Sequence, residues 1–305
     1  MMLKNIAVGK VSAQNRQRSN SAAIYVFLRK QDISECVRAI RYEFTLVSRG
    51  SAVRFLRPVM IAAGLLFAWQ LLVWLTDVPA FILPAPEAVV EALLVQHQMI
   101  LQHAMITLTE ILFGLVLGVG LGASTALILA EVSRLRPWLL PVLVISQAVP
   151  VFALAPILVL WLGYGMASKV AMAALIIFFP VTAAFYDGLR RTDPLWIDVA
   201  RAHGLSPFAQ LWRVRLPAAL PSLASGLRVA TSVAPIGAVV GEWVGSSGGL
   251  GYLMLHANGR LQIDLMFAAL LVLAVLAVAL YFLVDGCLRW SLPWVTGEQV
   301  PVKSP

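Results

Sequence analysis

Residues 198–217 read DVARAHGLSPFAQLWRVRLP, a polar, arginine-bearing insert between two strongly apolar segments. The stretch predicts two short helices joined at a glycine. Asp193 is placed to cap the first and Pro194 suits its first turn, while Gly204 supplies a left-handed stop. Ser206 and Pro207 repeat the start signal, and the second helix is expected to run to Pro217. Leu195, Val199 and Ala202 share one face of the first helix, with Ala200 and Gly204 small enough to let another backbone approach. Ordinary turn chemistry between two membrane spans is the plainer account of such a hairpin.

On both sides of the insert the apolar residues fall in span-length runs. They make up 60% of 305 residues against 12% charged, far from the composition of a soluble domain. Spans are predicted at Pro58–Thr76, Ala104–Ala130, Trp138–Trp161, Lys169–Tyr186, Ala218–Val240 and Leu265–Val284. Each is near the roughly 20 residues that a bilayer core requires. Lysine and arginine set the orientation. Of the 23, 11 lie at or before Arg57; Arg134, Arg136, Arg190, Arg191, Arg201, Arg213 and Arg215 fall on the same side, and only Lys169 and Arg260 oppose them. This asymmetry puts both termini and the 198–217 insert in the cytoplasm, with six spans. The net charge of +8 is therefore a topology signal. A nucleic-acid partner is not implied, because no basic groove with interleaved aromatics accompanies the charge.

Within the spans the polar residues are few. Span two carries Gly114, Gly118, Gly122 and Ala126 at intervals of four, a face that lets helices pack backbone to backbone in lipid. Its outer end holds Thr107, Thr109 and Glu110, and Glu110 either snorkels to water or faces a translocation path. Span three is interrupted by Pro141, Pro150 and Pro156, with Gln147 beside the middle one. Gln147 is expected to face protein or a water-filled path. Span five contains Thr231, whose hydroxyl either lines a path or bonds back to its own helix, and Arg228, expected to snorkel to the inner interface. The candidate path residues are thus Glu110, Gln147, Thr231 and Glu242. The outer segment from Glu242 to Asp264 is glycine-rich yet studded with Trp243, Leu250, Tyr252 and Leu253, which predicts a tight re-entrant turn rather than a flexible linker.

Enzyme chemistry finds no footing. The chain has no GxxxxGK[ST], HExxH, serine elbow or Cys/His cluster with metal spacing, so no ATP site, metal or cofactor is expected. His97 and His103 read as interfacial polar residues rather than a metal pair. Residues 1–55 form a basic extension expected to be poorly ordered; an amphipathic helix from Cys36 to Val47 is the alternative. No disulfide is expected between Cys36 and Cys287.

The spacing in the 198–217 insert resembles the "EAA" loop of ABC-importer permeases, with Asp198, Val199, Ala200, Gly204, Val214, Leu216 and Pro217 at the matching positions. Asp stands where that motif has Glu, and Val where it has Ala. The FILPAPEAVVEALL stretch is similar to the "LPSP" segment of permeases for taurine, alkanesulfonates, nitrate and pyrimidines. SQAVPVFALAPILVLWLGYG resembles their third-span pattern. The resemblance implies an all-α membrane protein with a five-helix, type I, methionine-importer-like permease core plus a peripheral first span. On that reading 1–55 is the cytoplasmic extension, 56–103 the first span and an outer amphipathic segment, 104–290 the core with its coupling loop at 188–217, and 291–305 a cytoplasmic tail.

The resemblance further implies a multi-pass subunit of a bacterial inner membrane, surrounded by lipid. Its partners would be a separate ABC ATPase, an extracytoplasmic solute-binding protein and a second permease copy. Asp198, Ala200, Gly204, Val214, Leu216 and Pro217 would couple it to the ATPase. GEWVGSSGGLGYLM followed by ANGRLQIDLMFAALL is most similar to permeases of thiamine-precursor pyrimidine importers. A hydroxymethylpyrimidine-type cargo also suits two outer glutamates with no basic residue in the outer half of either span. The alternative cargo is an aliphatic sulfonate, taurine or nitrate. A secondary transporter, the other class of reading, would need midplane carboxylates and an internal repeat, and neither is visible.

Overall fold

A computed structural model of the chain describes residues 60–132 and 134–294. Contacts divide the chain into units spanning Met1–Leu72 and Val73–Pro305. Helix α1, Met60–Thr76, is a short apolar helix. It is followed in order by α2 (Pro86–Val95), α3 (His97–Glu131), α4 (Arg136–Ala148), α5 (Val151–Leu162) and α6 (Met166–Arg190). Helices α7 (Pro194–Ala202) and α8 (Pro207–Gln210) form the hairpin, and α9 (Leu216–Gly245), α10 (Leu250–Gly259) and α11 (Ile263–Ser291) complete the described chain. The readings of residues 1–55 and of the tail beyond Trp294 lie outside the described residues.

The core is a three-helix sandwich in which α6 lies between α3 and α9. The small-residue stripe of α3 is the surface that meets α6. A methyl group added to Gly118 would come within 2.8 Å of Ile177 Cβ and 2.9 Å of the Ala174 carbonyl oxygen, and one on Gly122 within 2.9 Å of the Phe178 oxygen. The opposite side of α6 is approached as closely, since a methyl on Gly237 of α9 would stand 2.7 Å from Ala173 Cα. Lipid offers no hydrophobic drive to bring these helices together, so backbone proximity and dispersion hold them. Ile111, Ala173, Ile177, Val181, Ala230, Ala234 and Ala238 form one buried cluster at that contact. Leu129, Phe185, Leu189, Leu211 and Ala219 anchor a second one next to the hairpin.

Among the described residues, four helical runs are long and apolar enough to cross a bilayer: His97–Glu131, Met166–Arg190, Pro207–Gly245 and Ile263–Ser291. The predicted third span is two helices rather than one kinked helix. Val149 is extended (φ −79°, ψ 119°) before Pro150, and the helix restarts at Val151. The Pro150 ring disfavours helical backbone at the residue before it, and the missing N–H removes a helical bond. Pro141 and Pro156, by contrast, stay inside α4 and α5.

Two further expectations are corrected. The second hairpin helix does not stop at Pro217. It passes through a five-residue π turn, Leu211–Arg215, directly into α9, so that Pro207–Gly245 is one helical run of 39 residues. A π turn shifts the hydrogen-bond register just ahead of the proline, whose nitrogen has no proton to donate and whose ring would crowd a normal turn. The outer segment after Glu242 is also more regular than a loop: only Ser246–Gly249 separates α9 from α10. Arg228, expected to snorkel, is 34% exposed and its Nε donates to Asp285 Oδ1 at 2.6 Å.

Candidate functional site

The hairpin is built as its sequence predicts. Asp193 accepts from the Leu195 N–H at 2.9 Å and Ser206 from the Ala209 N–H at 3.3 Å, capping α7 and α8. Gly204 adopts φ +72°. The Gly204 N–H reaches the Arg201 carbonyl at 2.9 Å and the Leu205 N–H the Ala200 carbonyl at 3.1 Å, the paired bonds that close a helix on a left-handed glycine. Gln210 Nε2 then donates back to the Leu205 carbonyl at 2.7 Å. Arg215 ties the hairpin's exit to the end of α3 through Glu131, at 2.8 Å.

The proposed coupling residues fall into different environments. Asp198 is exposed and pairs with Arg201 at 3.3 Å, while Ala200 is buried within the chain and helps shape the hairpin. Val214 sits in the π turn, and Leu216 and Pro217 open α9. Besides exposed polar groups such as Asp198 and Arg201, the hairpin presents large apolar side chains outward: Leu195, Trp196, Val199, Phe208 and Trp212 are all exposed. A cluster of that kind marks a surface awaiting a partner.

A second polar site lies at the far end of the bundle. Glu242, in the last turn of α9, is 1% exposed. Its Oε1 accepts from the Thr107 hydroxyl at 2.6 Å, and its Oε2 accepts from the backbone N–H groups of Gly251 and Tyr252 in the first turn of α10. The Leu250 N–H donates to Thr107 Oγ1 at 2.8 Å and the Gly249 N–H to His103 Nδ1 at 3.0 Å. Four consecutive N–H groups at the start of α10 are thus met by side chains of α3 and α9, where a helix start would otherwise leave them orphaned. Gly249, at φ +107°, is the residue that permits it, because a Cβ there would overlap the Glu242 carboxyl. Next to this clasp the fully buried Glu110 pairs with Lys169 of α6 at 3.0 Å.

Of the sequence-predicted path residues, Glu110 and Glu242 come together, and both face the interior of the bundle. Thr231 is buried and donates to its own helix at the Leu227 carbonyl, 2.7 Å away. Gln147 is in α4, with its side chain outside the described atoms. The partners that the sequence did not assign are Lys169, Thr107 and His103. Lys169 counted only toward orientation, although a lysine inside a span-length run is itself a signal that a buried carboxylate is near.

The profile of the family described as "Binding-protein-dependent transport system inner membrane component" matches residues 114–297. A "Probable ABC transporter permease protein" of Haemophilus influenzae is 56% identical over 79% of this chain and 99% of its own. The "Formylaminopyrimidine transport permease protein ThiX" of Halalkalibacterium halodurans is 34% identical, covering 78% of this chain and 96% of its own. The "Riboflavin transport system permease protein RibX" of Chloroflexus aurantiacus is 37% identical over 78% and 89%. In fold the chain is similar to a subunit of a solved structure described as inward-facing conformations of the MetNI methionine ABC transporter. That match has a TM-score of 0.57 at 19% identity, over 64% of this chain and 96% of that one. With the family profile covering more than half its residues and a permease helix bundle around this core, the chain belongs to the family of inner-membrane permease components of binding-protein-dependent ABC importers.

Proposed function

We propose that two copies of this permease subunit enclose the path for an uncharged nitrogen heterocycle, with a hydroxymethylpyrimidine-type thiamine precursor as the first choice. The α7–α8 hairpin reads the state of the ATPase partner. The observation that carries the coupling role is the exposed apolar face of Leu195, Trp196, Val199, Phe208 and Trp212. The hairpin continues without interruption into α9, about 58 Å of helix at 1.5 Å per residue, whose far end holds Glu242 and thereby the start of α10. A displacement at the ATPase side therefore acts on the outer end through one lever, with Pro221 and Pro235 inside it as points of bending.

The cargo reading is supported by the glycine-rich outer turn and by relatives named for formylaminopyrimidine and riboflavin transport. Glu110 is paired with Lys169, and Glu242 accepts from Thr107 and the start of α10. The decisive experiment is ATP-driven uptake in proteoliposomes holding the permease, its ATPase and its binding protein. Labelled aminopyrimidine precursor, riboflavin and taurine are offered in turn. The expected result is uptake of the precursor, lowered roughly tenfold or more by Val199→Arg, which puts a charge into an apolar contact, with membrane insertion unchanged. Uptake of taurine alone would replace the cargo reading by its alternative, and full uptake by Val199→Arg would remove the hairpin from coupling.

Both termini and the hairpin are placed in the cytoplasm by the lysine and arginine bias. Cysteines substituted at Gln102 and Asn258 are expected to react with an impermeant reagent from outside intact cells, and one at Ser206 only after lysis. All three positions are exposed. Reaction of the Ser206 position in intact cells would reverse the orientation.

A further inference from the structure

Helix α11 is 29 residues long, about 43 Å at 1.5 Å per residue, which equals the thickness of a bilayer with its headgroup layers. Its charges sit at the two ends. Asp264 opens it, Leu265–Val284 carries none, and Asp285 and Arg289 close it. The closing end therefore lies where lipid phosphates are. Trp290 and Trp294 are exposed there, 86% and 60%, as interfacial tryptophans are.

Asp285 is nearly buried and takes two arginines at once. Arg228 Nε of α9 is 2.6 Å from its Oδ1 and Arg289 Nε is 2.8 Å from its Oδ2. Two positive charges against one negative leave the cluster at +1. Both contacts run through Nε, and among the described residues no other acceptor is paired with either guanidinium. The arginine side chains are 34% and 69% exposed, so the remaining donors of both forks are open to the headgroup layer. A guanidinium fork is the side-chain group best matched to a phosphate oxygen pair.

We infer that Arg228 and Arg289, held in place by Asp285, bind the phosphate of an anionic phospholipid at the α9–α11 seam, with Trp290 and Trp294 packing beside its glycerol region. Asp285 here is a positioning residue and the arginines are the ligands. Such a lipid would add to the Arg228–Asp285 pair that already joins the two helices.

The test is native mass spectrometry of the full-length permease released from membranes containing phosphatidylglycerol or phosphatidylcholine, counting the lipids retained. Retention of phosphatidylglycerol over phosphatidylcholine is expected. Arg289→Gln, on an exposed side chain that folding does not require, should weaken retention about fivefold, and the Arg228→Gln/Arg289→Gln pair by more than that. Arg260→Gln, just after α10 and beyond the opposite end of the span, should leave it unchanged. Asp285→Asn keeps a side-chain oxygen to position one arginine while raising the cluster from +1 to +2, and is expected to retain phosphatidylglycerol about as well as the native chain. A purely structural ion pair would instead lose both fold and lipid in that variant. Unchanged retention in the double variant, equal retention of phosphatidylcholine, or full displacement by millimolar inorganic phosphate would each overturn the assignment.

Discussion

Lys169→Met is expected to destabilise the protein by about 3–5 kcal/mol, the usual cost of removing one partner from a buried ion pair. The Lys169 and Glu110 side chains are 7% and 0% exposed. Without the ammonium, Glu110 is left in the bundle interior beside Glu242, with no cation to offset either carboxylate. The reverse change is milder. Glu110→Gln leaves the Lys169 ammonium an amide oxygen to meet in place of the carboxylate. A third variant, Glu110→Leu/Lys169→Met, removes both charges and should recover most of the loss, since replacing a buried pair by apolar groups is often neutral. The measurement is the apparent unfolding midpoint of the purified protein in detergent for all three. Equal losses for the single lysine variant and the double variant would show that shape, and not charge balance, is what Lys169 provides.

The clasp at α10 should be nearly as sensitive. Glu242→Ala strips the acceptors from the Gly251 and Tyr252 N–H groups and from the Thr107 hydroxyl. At roughly 1–3 kcal/mol for each buried donor left unpaired, the expected loss is about 3–5 kcal/mol, somewhat relieved if Thr107 turns to the His103 carbonyl. That carbonyl is 3.2 Å away. Glu242→Gln should be tolerated far better. Its amide oxygen can face the two N–H groups while its NH2 donates to Thr107 Oγ1. Gly249→Ala attacks the same contact from the other side, because the added methyl collides with the carboxyl and the φ of +107° is one that alanine resists. Uptake and unfolding measured together separate two roles. If Glu242 serves by capping α10, Gln restores both; if its charge serves the cargo, Gln restores stability and leaves uptake impaired.

Much of the architecture was legible in the chain because lipid imposes simple rules. A bilayer leaves only helices for such apolar runs. The hairpin was equally open to reading: Asp193, Pro194, Gly204, Ser206 and Pro207 are local punctuation, and each does locally what its chemistry dictates. The stripe of Gly114, Gly118 and Gly122 announced a close helix contact through its spacing alone, though not that α6 would be the neighbour.

Where local signals compete, the sequence was an unreliable guide. Pro217 reads as a stop, yet a π turn absorbs it, and Pro150 reads as a kink, yet it ends a helix. The polar residues show the same limit more sharply. Glu110 and Glu242 stand 132 positions apart and seemed to belong to a cargo path, because two acids at the ends of apolar spans are costly unless used. Only the tertiary structure brings Lys169 to one and the start of α10 to the other. Charge compensation acts over a few ångströms across helices, whereas sequence periodicity reports only which face of its own helix a residue occupies. So the chain by itself determined its membrane class, its helices and its hairpin; which buried charges meet was decided by the packing of α3, α6, α9 and α10.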